Sequence, residues 1–390
     1  MGGTCDPRFA ALREAFAANF TERGEPGGAI ALMVDGRLVC DLWGGYRDAA
    51  RTREWTRETL VNFFSVGKAF TALVALRLVE RGLLDLDAPA HCLWPEFGCN
   101  GKETITLRHM LSHRAGLPAI REDLPDGAML GWSRMAEALA RQAPWWEPGT
   151  QHGYHALTFG HLVGELIRRI SGQSVGEYFR EHVAGPLDAD FHIGVGPEFD
   201  SRISDLHGRF GSSKSGDQTT ELPEAIRKFM RDMADPNTMV GAAFNNPPVS
   251  DVSVNSRAWR QAEIPAANGH GTARSLARIY GALARGGEVD GVRILRPETI
   301  ERAITPQAEG PDAVLGGLPM RFGLGFMLRS MVMPLSPSPR SFGHPGAGGS
   351  IGMADPDTGV GFGYTMNKMQ QGLVGGAGGF AMLGAFFESL

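Results

Sequence analysis

The stretch FFSVGKAF, residues 63–70, places Ser65 three residues before Lys68 at the entry to a long apolar run. Side chains three residues apart on a helix are neighbours, so the hydroxyl and the amine would share a face. Because burial lowers the pKa of a lysine, a neutral amine beside a serine hydroxyl can serve as the base for a nucleophile. The alternative is an N-cap serine followed by a surface lysine. The spacing alone leaves both interpretations open.

The surrounding sequence indicates how this pair is positioned. The run AFTALVALRLVERG after Lys68 is apolar nearly all round, which predicts a buried helix that ends at Gly82. Residues 8–20 are typical of an amphipathic helix. The segment GGAIALMVDGRLVCDLWGG predicts two strands joined by a turn at Asp35-Gly36.

The two ends of the chain predict one α/β unit with an insertion. Near the C-terminus, SIGMADPDTGVGFGYTMN predicts a hairpin, and a helix is expected at about 377–389. Strands at both ends favour one sheet assembled from both termini, which gives an α/β domain from 1–75 and 265–390. Residues 76–264 are expected to form an inserted, mainly helical domain. Its last part, about 200–264, is predicted to be irregular and to line a cleft.

Composition excludes several classes of protein. The 390 residues are 43% hydrophobic with a net charge of −5 and no basic runs, which argues against nucleic acid or an anionic membrane as partner. The four cysteines lack paired Cys-x-x-Cys spacing and are predicted to be free thiols. No leader-like segment or apolar stretch of membrane-spanning length is present, so a cytoplasmic location is expected.

Three blocks of the sequence resemble the serine β-lactamase and penicillin-binding-protein-like superfamily, in its class C branch and closest to the family VIII carboxylesterases. The resemblance covers about 27–195 and 265–370. It implies a β-lactamase-like α/β fold, with an antiparallel sheet flanked by helices, and acyl transfer with Ser65 as nucleophile and Lys68 as base. The blocks are NFFSVGKAFTALVALRLVERGLLDLDAPA, ITLRHMLSHRAGLPAI and WEPGTQHGYHALTFGHLVGELIRRISGQSVGEYFREHVAGPL.

The second motif of that superfamily, Tyr-x-Asn, is Tyr154-His155-Ala156 in this chain. The resemblance implies that Tyr154 works with Lys68 as base and later protonates the leaving group. A phenol and an amine in contact are also expected to share one proton, with pKa values that belong to the pair. His155 is a candidate substrate contact or a structural residue, and Trp146 either walls the acyl pocket or packs in the core.

The third motif, Lys-Thr-Gly, is replaced by His344-Pro345-Gly346. The resemblance implies that the backbone N–H groups of Ser65 and Ala347 form the oxyanion hole. It also implies that His344 and Gly346 border the substrate. Histidine is mostly neutral at pH 7, so a substrate carboxylate would lack the cation that the lysine of the motif supplies. A simple ester has no carboxylate and does not need that cation.

Two further patterns are weaker. GGSIG, residues 348–352, matches the Gly-x-Ser-x-Gly nucleophile elbow, but Ser350 precedes a predicted strand and no histidine follows it in the chain. His109 and His113 lie four residues apart in a block that the resemblance makes structural, so no metal site is predicted.

The sequence, with this resemblance, therefore predicts a carboxylesterase that acts on short-chain esters, a small-molecule substrate, through an acyl-enzyme and without a cofactor. Weak β-lactam hydrolysis is a further candidate activity. The alternatives are a β-lactamase or D-amino-acid peptidase, or a non-catalytic binding member of the fold. The oligomeric state stays open.

Overall fold

The computed structural model describes residues 1–208, 224–248, 254–370 and 376–389. Its strands are β1 (Gly2–Cys5), β2 (Gly27–Val34), β3 (Arg37–Gly45), β4 (Val61–Asn62), β5 (Phe191–His192), β6 (His270–Gly271), β7 (Glu288–Val289), β8 (Val292–Arg293), β9 (Ala308–Pro311), β10 (Pro319–Phe322), β11 (Met327–Leu328), β12 (Phe342–Pro345), β13 (Ile351–Asp355) and β14 (Val360–Met366). Its α-helices are α1 (Ala10–Thr21), α2 (Gly67–Glu80), α3 (Leu107–Leu111), α4 (Trp132–Arg141), α5 (Thr158–Ser171), α6 (Val175–Phe179), α7 (Glu224–Ala234), α8 (Met239–Asn245), α9 (Arg257–Gln261), α10 (Ala273–Ala284), α11 (Pro297–Ile304) and α12 (Ala377–Phe387).

One large antiparallel sheet joins the two ends of the chain. Its strand order is β1-β3-β2-β14-β13-β12-β11-β10-β9, so the N-terminal strands meet the C-terminal ones where β2 pairs with β14. The turn between β2 and β3 has Asp35 and Gly36 at φ of 49° and 79°, the left-handed region that a two-residue hairpin requires. The predicted hairpins and the sheet built from both termini are thereby confirmed.

The sheet separates two layers of helices. Along β2, Ile30 and Leu32 belong to the core beneath α1 and α12, whereas Ala31 and Met33 belong to the core that contains α2 and α10. This alternation follows from the period of two along a strand, which sends successive side chains to opposite faces. Both faces of the sheet are therefore buried, and β12 carries the third motif between them.

Helix α2 fits the apolar pattern that predicts it. Every residue from Gly67 to Leu76 is buried, as is Leu78, because α2 packs among α5, α6 and the sheet. The helix begins at Gly67, and its N-cap, Val66, makes no side-chain capping bond. The interpretation of Ser65 as an ordinary N-cap serine is therefore wrong.

The region 200–264 is less irregular than predicted. It contains α7, α8 and α9, while residues 209–223 and 249–253 of this prediction lie outside the described residues. In α7, Phe229 and Met233 recur four residues apart, a helical signal that the flanking Ser, Asn, Pro and Gly residues obscured. The domain boundaries at 75 and 265 stay a prediction. Among the described helices, none has the length and apolar character to cross a membrane.

Glycines on the sheet allow α10 to lie directly against it. A Cβ at Gly363 would lie 2.3 Å from the carbonyl oxygen of Ala273, and one at Gly352 would lie 2.2 Å from the ring of Tyr280. At Gly361 it would lie 2.1 Å from the backbone nitrogen of Gly281. Backbone atoms cannot move away as a flexible side chain can, so the helix-to-sheet distance depends on these residues lacking a Cβ.

We expect Gly361→Ala to lower the free energy of unfolding by about 2 kcal/mol or more, because the added methyl group overlaps the backbone of α10. Urea unfolding followed by circular dichroism measures this effect. The matched control is Gly384→Ala in α12, where the glycine is exposed and no atom lies within 4 Å. That change should be neutral or stabilise by up to about 1 kcal/mol. Equal unfolding midpoints for both variants would contradict this account.

Candidate active site

The amine of Lys68 is fully buried at the first turn of α2. Its Nζ lies 2.9 Å from Ser65 Oγ, 2.7 Å from the carbonyl oxygen of Ala156 and 2.9 Å from that of Ala266. Burial lowers the pKa of Lys68 well below its usual value. Carbonyl dipoles satisfy the amine without supplying the negative charge that would keep it protonated.

These three contacts define where the protons of the neutral amine lie. Carbonyl oxygens only accept, so Nζ donates one hydrogen to Ala156 and one to Ala266. A neutral amine has two hydrogens, and both are then used. Its lone pair is left facing Ser65 Oγ, which can donate its own hydrogen to it. The geometry matches a base beside a nucleophile, as the sequence predicts for Ser65 and Lys68.

Ser65 sits in a tight connection between β4 and α2. The preceding residue, Phe64, has a φ of 47°, an uncommon conformation for a bulky side chain that costs about 1 kcal/mol or more. The N–H of Phe64 donates to Asn62 Oδ1 (3.2 Å), and that of Phe63 donates to the carbonyl of Gly269 (2.8 Å). The strained connection is thus held from both sides, and Ser65 itself is half-buried.

Tyr154 completes a compact group with Ser65 and Lys68. Its ring centroid lies 4.9 Å from Lys68 Nζ, and its backbone N–H donates to Asp312 Oδ1 at 3.1 Å. Burial raises the pKa of Tyr154 above its usual value, against a hydrogen bond with Ser65 that lowers it. Since burial lowers the pKa of Lys68, the one proton expected to be shared by the pair lies on the phenol.

The strand of the third motif approaches Ser65 closely. A Cβ at Gly346 would lie only 2.0 Å from the carbonyl oxygen of Phe63, so this position requires glycine. Among the described residues, no protein oxygen accepts a hydrogen bond from the backbone N–H of Ser65 or of Ala347. Two uncommitted N–H donors, one from each of these neighbouring segments, would suit a developing oxyanion.

His344 stands in β12 where the resemblance implies a lysine. Its ring centroid lies 5.9 Å from that of Tyr154, and its Nδ1 lies 2.7 Å from the carbonyl oxygen of Pro345. Burial, followed by the nearby Lys68, lowers the pKa of His344 to about 3. The side chain is therefore neutral at physiological pH.

His155 is not a substrate contact, which corrects one of the two interpretations of this residue. The side chain is fully buried, and both ring nitrogens are used: Nε2 accepts from the N–H of Leu117 at 3.1 Å, and Nδ1 lies 2.7 Å from the carbonyl oxygen of Gly153. Its ring therefore ties the Tyr154 segment to the neighbouring loop. Trp146 is half-buried and packs on Gly153, where a Cβ would lie 2.8 Å from its ring.

Ser350 is unsuited to be a nucleophile. The side chain has no exposed surface, and its Oγ has no hydrogen-bond partner among the described residues. The backbone carbonyl of Ser350 instead accepts from the N–H of Gly346 at 2.7 Å. Ser350 is thus part of the turn that presents Ala347. In the described part of the chain, no three His, Cys, Asp or Glu side chains are grouped as a metal would require.

Several residues at the site are not predicted as site residues by the sequence. Asp312 binds the backbone of Tyr154, and the ring of His113 lies 5.1 Å from that of Tyr154. Asn268 closes the turn that presents the carbonyl of Ala266, through bonds to the backbone of Ile264 (2.9 Å) and Trp259 (2.8 Å). HGYHA and LSHRAGLP, as blocks of a resemblance, point to this neighbourhood in advance.

Comparison with known proteins agrees with the geometry. The family model Beta-lactamase matches residues 12–377. The Esterase/beta-lactamase LipL of Mycobacterium tuberculosis is 38% identical over 382 residues, which cover 95% of this chain and 84% of LipL. A solved structure described as a family VIII carboxylesterase is 37% identical, with a TM-score of 0.88 and coverage of 100% of this chain and 99% of its own.

A second solved structure, EstA from Arthrobacter nitroguajacolicus Rue61a, is 32% identical with a TM-score of 0.84, and covers 100% of this chain and 98% of EstA. The family model spans the positions of all three motifs, and both solved structures cover the whole chain. The resemblance inferred from the sequence is confirmed, and the chain belongs to the Beta-lactamase family.

Proposed function

We propose that this protein is a carboxylesterase that cleaves short-chain carboxylic esters through an acyl-enzyme on Ser65. The observation that carries the proposal is the 2.9 Å contact between Lys68 Nζ and Ser65 Oγ, made by an amine whose other two partners are carbonyl oxygens. The chain is a serine hydrolase of the β-lactamase fold, and relatives named as esterases favour esters as its substrates.

In the proposed reaction, Ser65 Oγ attacks the ester carbonyl carbon while its proton passes to Lys68 Nζ. The N–H groups of Ser65 and Ala347 donate to the resulting oxyanion. When the intermediate collapses, the bond to the alcohol oxygen breaks, Tyr154 gives its proton to that oxygen, and Lys68 returns a proton to Tyr154. Water then attacks the acyl carbonyl carbon and gives a proton to the Lys68 and Tyr154 pair. When this second intermediate collapses, the pair returns a proton to Ser65 Oγ, which releases the acid and restores Ser65.

The substrate class follows from the charge of the site. His344 is neutral at pH 7, so nothing at its position attracts a carboxylate. An uncharged ester does not need a cation at this position.

Gly346 and Trp146 are proposed to border the acyl group. Gly346 leads to Ala347, and Trp146 packs behind the Tyr154 segment.

Weak β-lactam hydrolysis is a second candidate activity. The name of LipL joins both activities, and an acyl-enzyme can form on either kind of carbonyl. A β-lactam antibiotic carries a carboxylate, however, so the neutral His344 disfavours it. A role without catalysis is not favoured, because Ser65, Lys68 and Tyr154 form one connected group.

We further propose that the protein works in the cytoplasm, as its sequence predicts. The four cysteines are free thiols, and the pair Cys5 and Cys40 face each other across β1 and β3 without forming a bond. Unbonded neighbouring thiols are consistent with a reducing compartment.

We expect Ser65→Ala to lower ester turnover by several orders of magnitude, because no acyl-enzyme can form. Ser350→Ala is the matched control, since it removes a hydroxyl that has no partner, and it should retain most of the activity. Hydrolysis of nitrophenyl acetate and butyrate measures both variants. A folded Ser350→Ala protein that is inactive, beside an active Ser65→Ala protein, would reject the assignment.

We expect Lys68→Arg to lose more than about 90% of kcat/KM, a change above ~1.4 kcal/mol, because arginine stays charged and cannot accept a proton. Tyr154→Phe should also lose activity, because phenylalanine has no hydroxyl to carry the proton. Wild-type kcat/KM should rise with pH through an apparent pKa well below 10, because burial lowers the pKa of Lys68. Profiles from pH 5 to 10 test all three proteins.

The controls for these variants are a buried lysine and a buried tyrosine elsewhere. Lys102 has no exposed surface and also contacts two carbonyls, and Tyr280 has a buried hydroxyl without a partner. Folded Lys102→Arg and Tyr280→Phe should keep most activity. If Lys68→Arg retains more than a tenth of the wild-type rate, Lys68 is not the base.

We expect kcat/KM for nitrophenyl butyrate to exceed that for a chromogenic cephalosporin by at least about 10², or about 2.7 kcal/mol. Nitrophenyl hemisuccinate isolates the effect of the carboxylate, since it is close to the butyrate in length but charged, and it should also be the poorer substrate. Equal rates on the neutral and charged esters would show that the neutral His344 does not determine selectivity.

A further inference from the structure

A second pair of ionisable side chains lies behind Tyr154. Asp312 has no exposed surface, and its Oδ1 accepts from three backbone N–H groups: those of Tyr154 (3.1 Å), Val314 (2.8 Å) and Leu315 (2.8 Å). Its other oxygen, Oδ2, lies 4.0 Å from Nε2 of His152, two residues before Tyr154. Both atoms are buried, and neither has a hydrogen-bond partner among the described residues.

The contact lacks a donor unless a proton is added. His152 bonds the backbone carbonyl of Gly310, which places the hydrogen of the neutral ring on Nδ1 and the lone pair on Nε2. An ionised Asp312 also presents lone pairs. Two buried acceptors that face each other are unfavourable, and a single proton between them would make a hydrogen bond once the two atoms approach from 4.0 Å to about 3 Å.

We propose that His152 and Asp312 share one proton and together act as positioning residues that hold the backbone of Tyr154, and so its hydroxyl, beside Ser65. This inference rests on the proposed function only for the role of Tyr154. The pair links residues 152–154 to the loop 310–315 by one side-chain contact and by the bond from the Tyr154 N–H.

The surroundings favour proton uptake close to neutral pH. Burial raises the pKa of Asp312 to about 6, and burial, followed by the charge of Arg114, lowers that of His152. The other groups that face the pair are His113, whose own pKa is well below its usual value, and Tyr154. The charge of ionised Asp312 raises the pKa of Tyr154 further, so it helps to keep the proton on the phenol.

Asp312→Asn separates this arrangement from a plain backbone cap. The amide oxygen can still accept from the three N–H groups, while the amide nitrogen donates permanently to His152 Nε2. The variant therefore copies the protonated pair at every pH. Asp355→Asn is the control, because Asp355 is equally buried and both its oxygens accept hydrogen bonds, from the Ser336 hydroxyl and the Asp357 N–H.

The first readout is thermal stability against pH. The folded protein disfavours ionisation of Asp312, so the contribution of Asp312 to the stability of the wild type falls as pH rises from about 4 through 6, whereas the variant has no such contribution to lose. The Tm of Asp312→Asn minus that of the wild type should increase over this range and then level off, and Asp355→Asn shows the effect of replacing another buried carboxyl. A constant difference for Asp312→Asn would overturn the proposal, because the pair would then take up no proton in this range.

The second readout is the ring of His152 itself, followed in the full-length protein labelled with ¹⁵N-histidine. Its Nε2 signal, assigned by its loss in His152→Gln, should titrate between pH 5 and 8 in the wild type and not in Asp312→Asn. Neither this spectrum nor the Tm depends on esterase activity, so both test the pair even if the assignment of Ser65 fails. The absence of any Nε2 titration between pH 5 and 8 would overturn the shared proton.

The third readout is catalytic and tests the positioning of Tyr154. Asp312→Asn should keep kcat within about threefold of the wild type below pH 5.5. Folded Asp312→Ala, which frees the Tyr154 N–H, should lose about 10² in kcat with a much smaller change in KM. Equal kcat for the Asn and Ala variants would overturn the positioning role, and a large KM change with unchanged kcat would do the same.

Discussion

The burial of one amine is the constraint on which the site depends. Lys68 is the only ionisable side chain on the buried part of α2. Its pKa is lowered by desolvation, which is strong because the residues of the helix around it are apolar. Had a carboxylate accepted from Nζ, the ammonium form would have been stabilised and the base lost. Carbonyl oxygens avoid this, since they satisfy the two N–H groups without a net negative charge.

The fold must therefore bring two particular carbonyls to one atom. Ala156 precedes α5, and Ala266 lies in the turn before β6, so three segments distant in sequence meet at Nζ. Glycines make this possible. A Cβ at Gly67 would lie 2.7 Å from the carbonyl oxygen of Pro265, and one at Gly160 would lie 2.6 Å from the nitrogen of Ala266. Helices α2 and α5 can thus both pack directly against the turn that carries Ala266.

This dependence on backbone atoms explains what could be read from the sequence. Ser65 and Lys68 can be recognised by their side-chain types and by the apolar helix that follows them. The Asp35-Gly36 turn can be recognised because its residue types suit the dihedral angles of a two-residue hairpin. A backbone carbonyl carries no such mark, because every residue has one. Ala156 and Ala266 became visible only when the chain was folded. Asp312 is far from Tyr154 in the sequence and belongs to no motif, so only the fold shows that it lies behind Tyr154.

The same reasoning explains why His155 was ambiguous. A histidine beside the motif tyrosine is compatible with a substrate contact or with a structural bond, and only the partners of its two nitrogens decide. Both are bonded within the protein, and the ring is fully buried. The helices within 224–261 were missed for different reasons. The flanking Ser, Asn, Pro and Gly residues obscured the helical spacing in α7, whereas the short helices α8 and α9 rely on tertiary packing more than on local pattern.

The neutral histidines give the site a consistent electrostatic character. Burial lowers the pKa of His113, His155 and His344, so no imidazolium stands near Lys68 at pH 7. In the proposed mechanism Lys68 gains a positive charge in the same step that creates the oxyanion. A permanent cation at position 344 would oppose that charge, whereas a neutral ring does not. In that mechanism the charges on Lys68 and on the oxyanion appear together during the reaction, and the N–H groups of Ser65 and Ala347, as the proposed oxyanion hole, would favour the transition state over the bound ester.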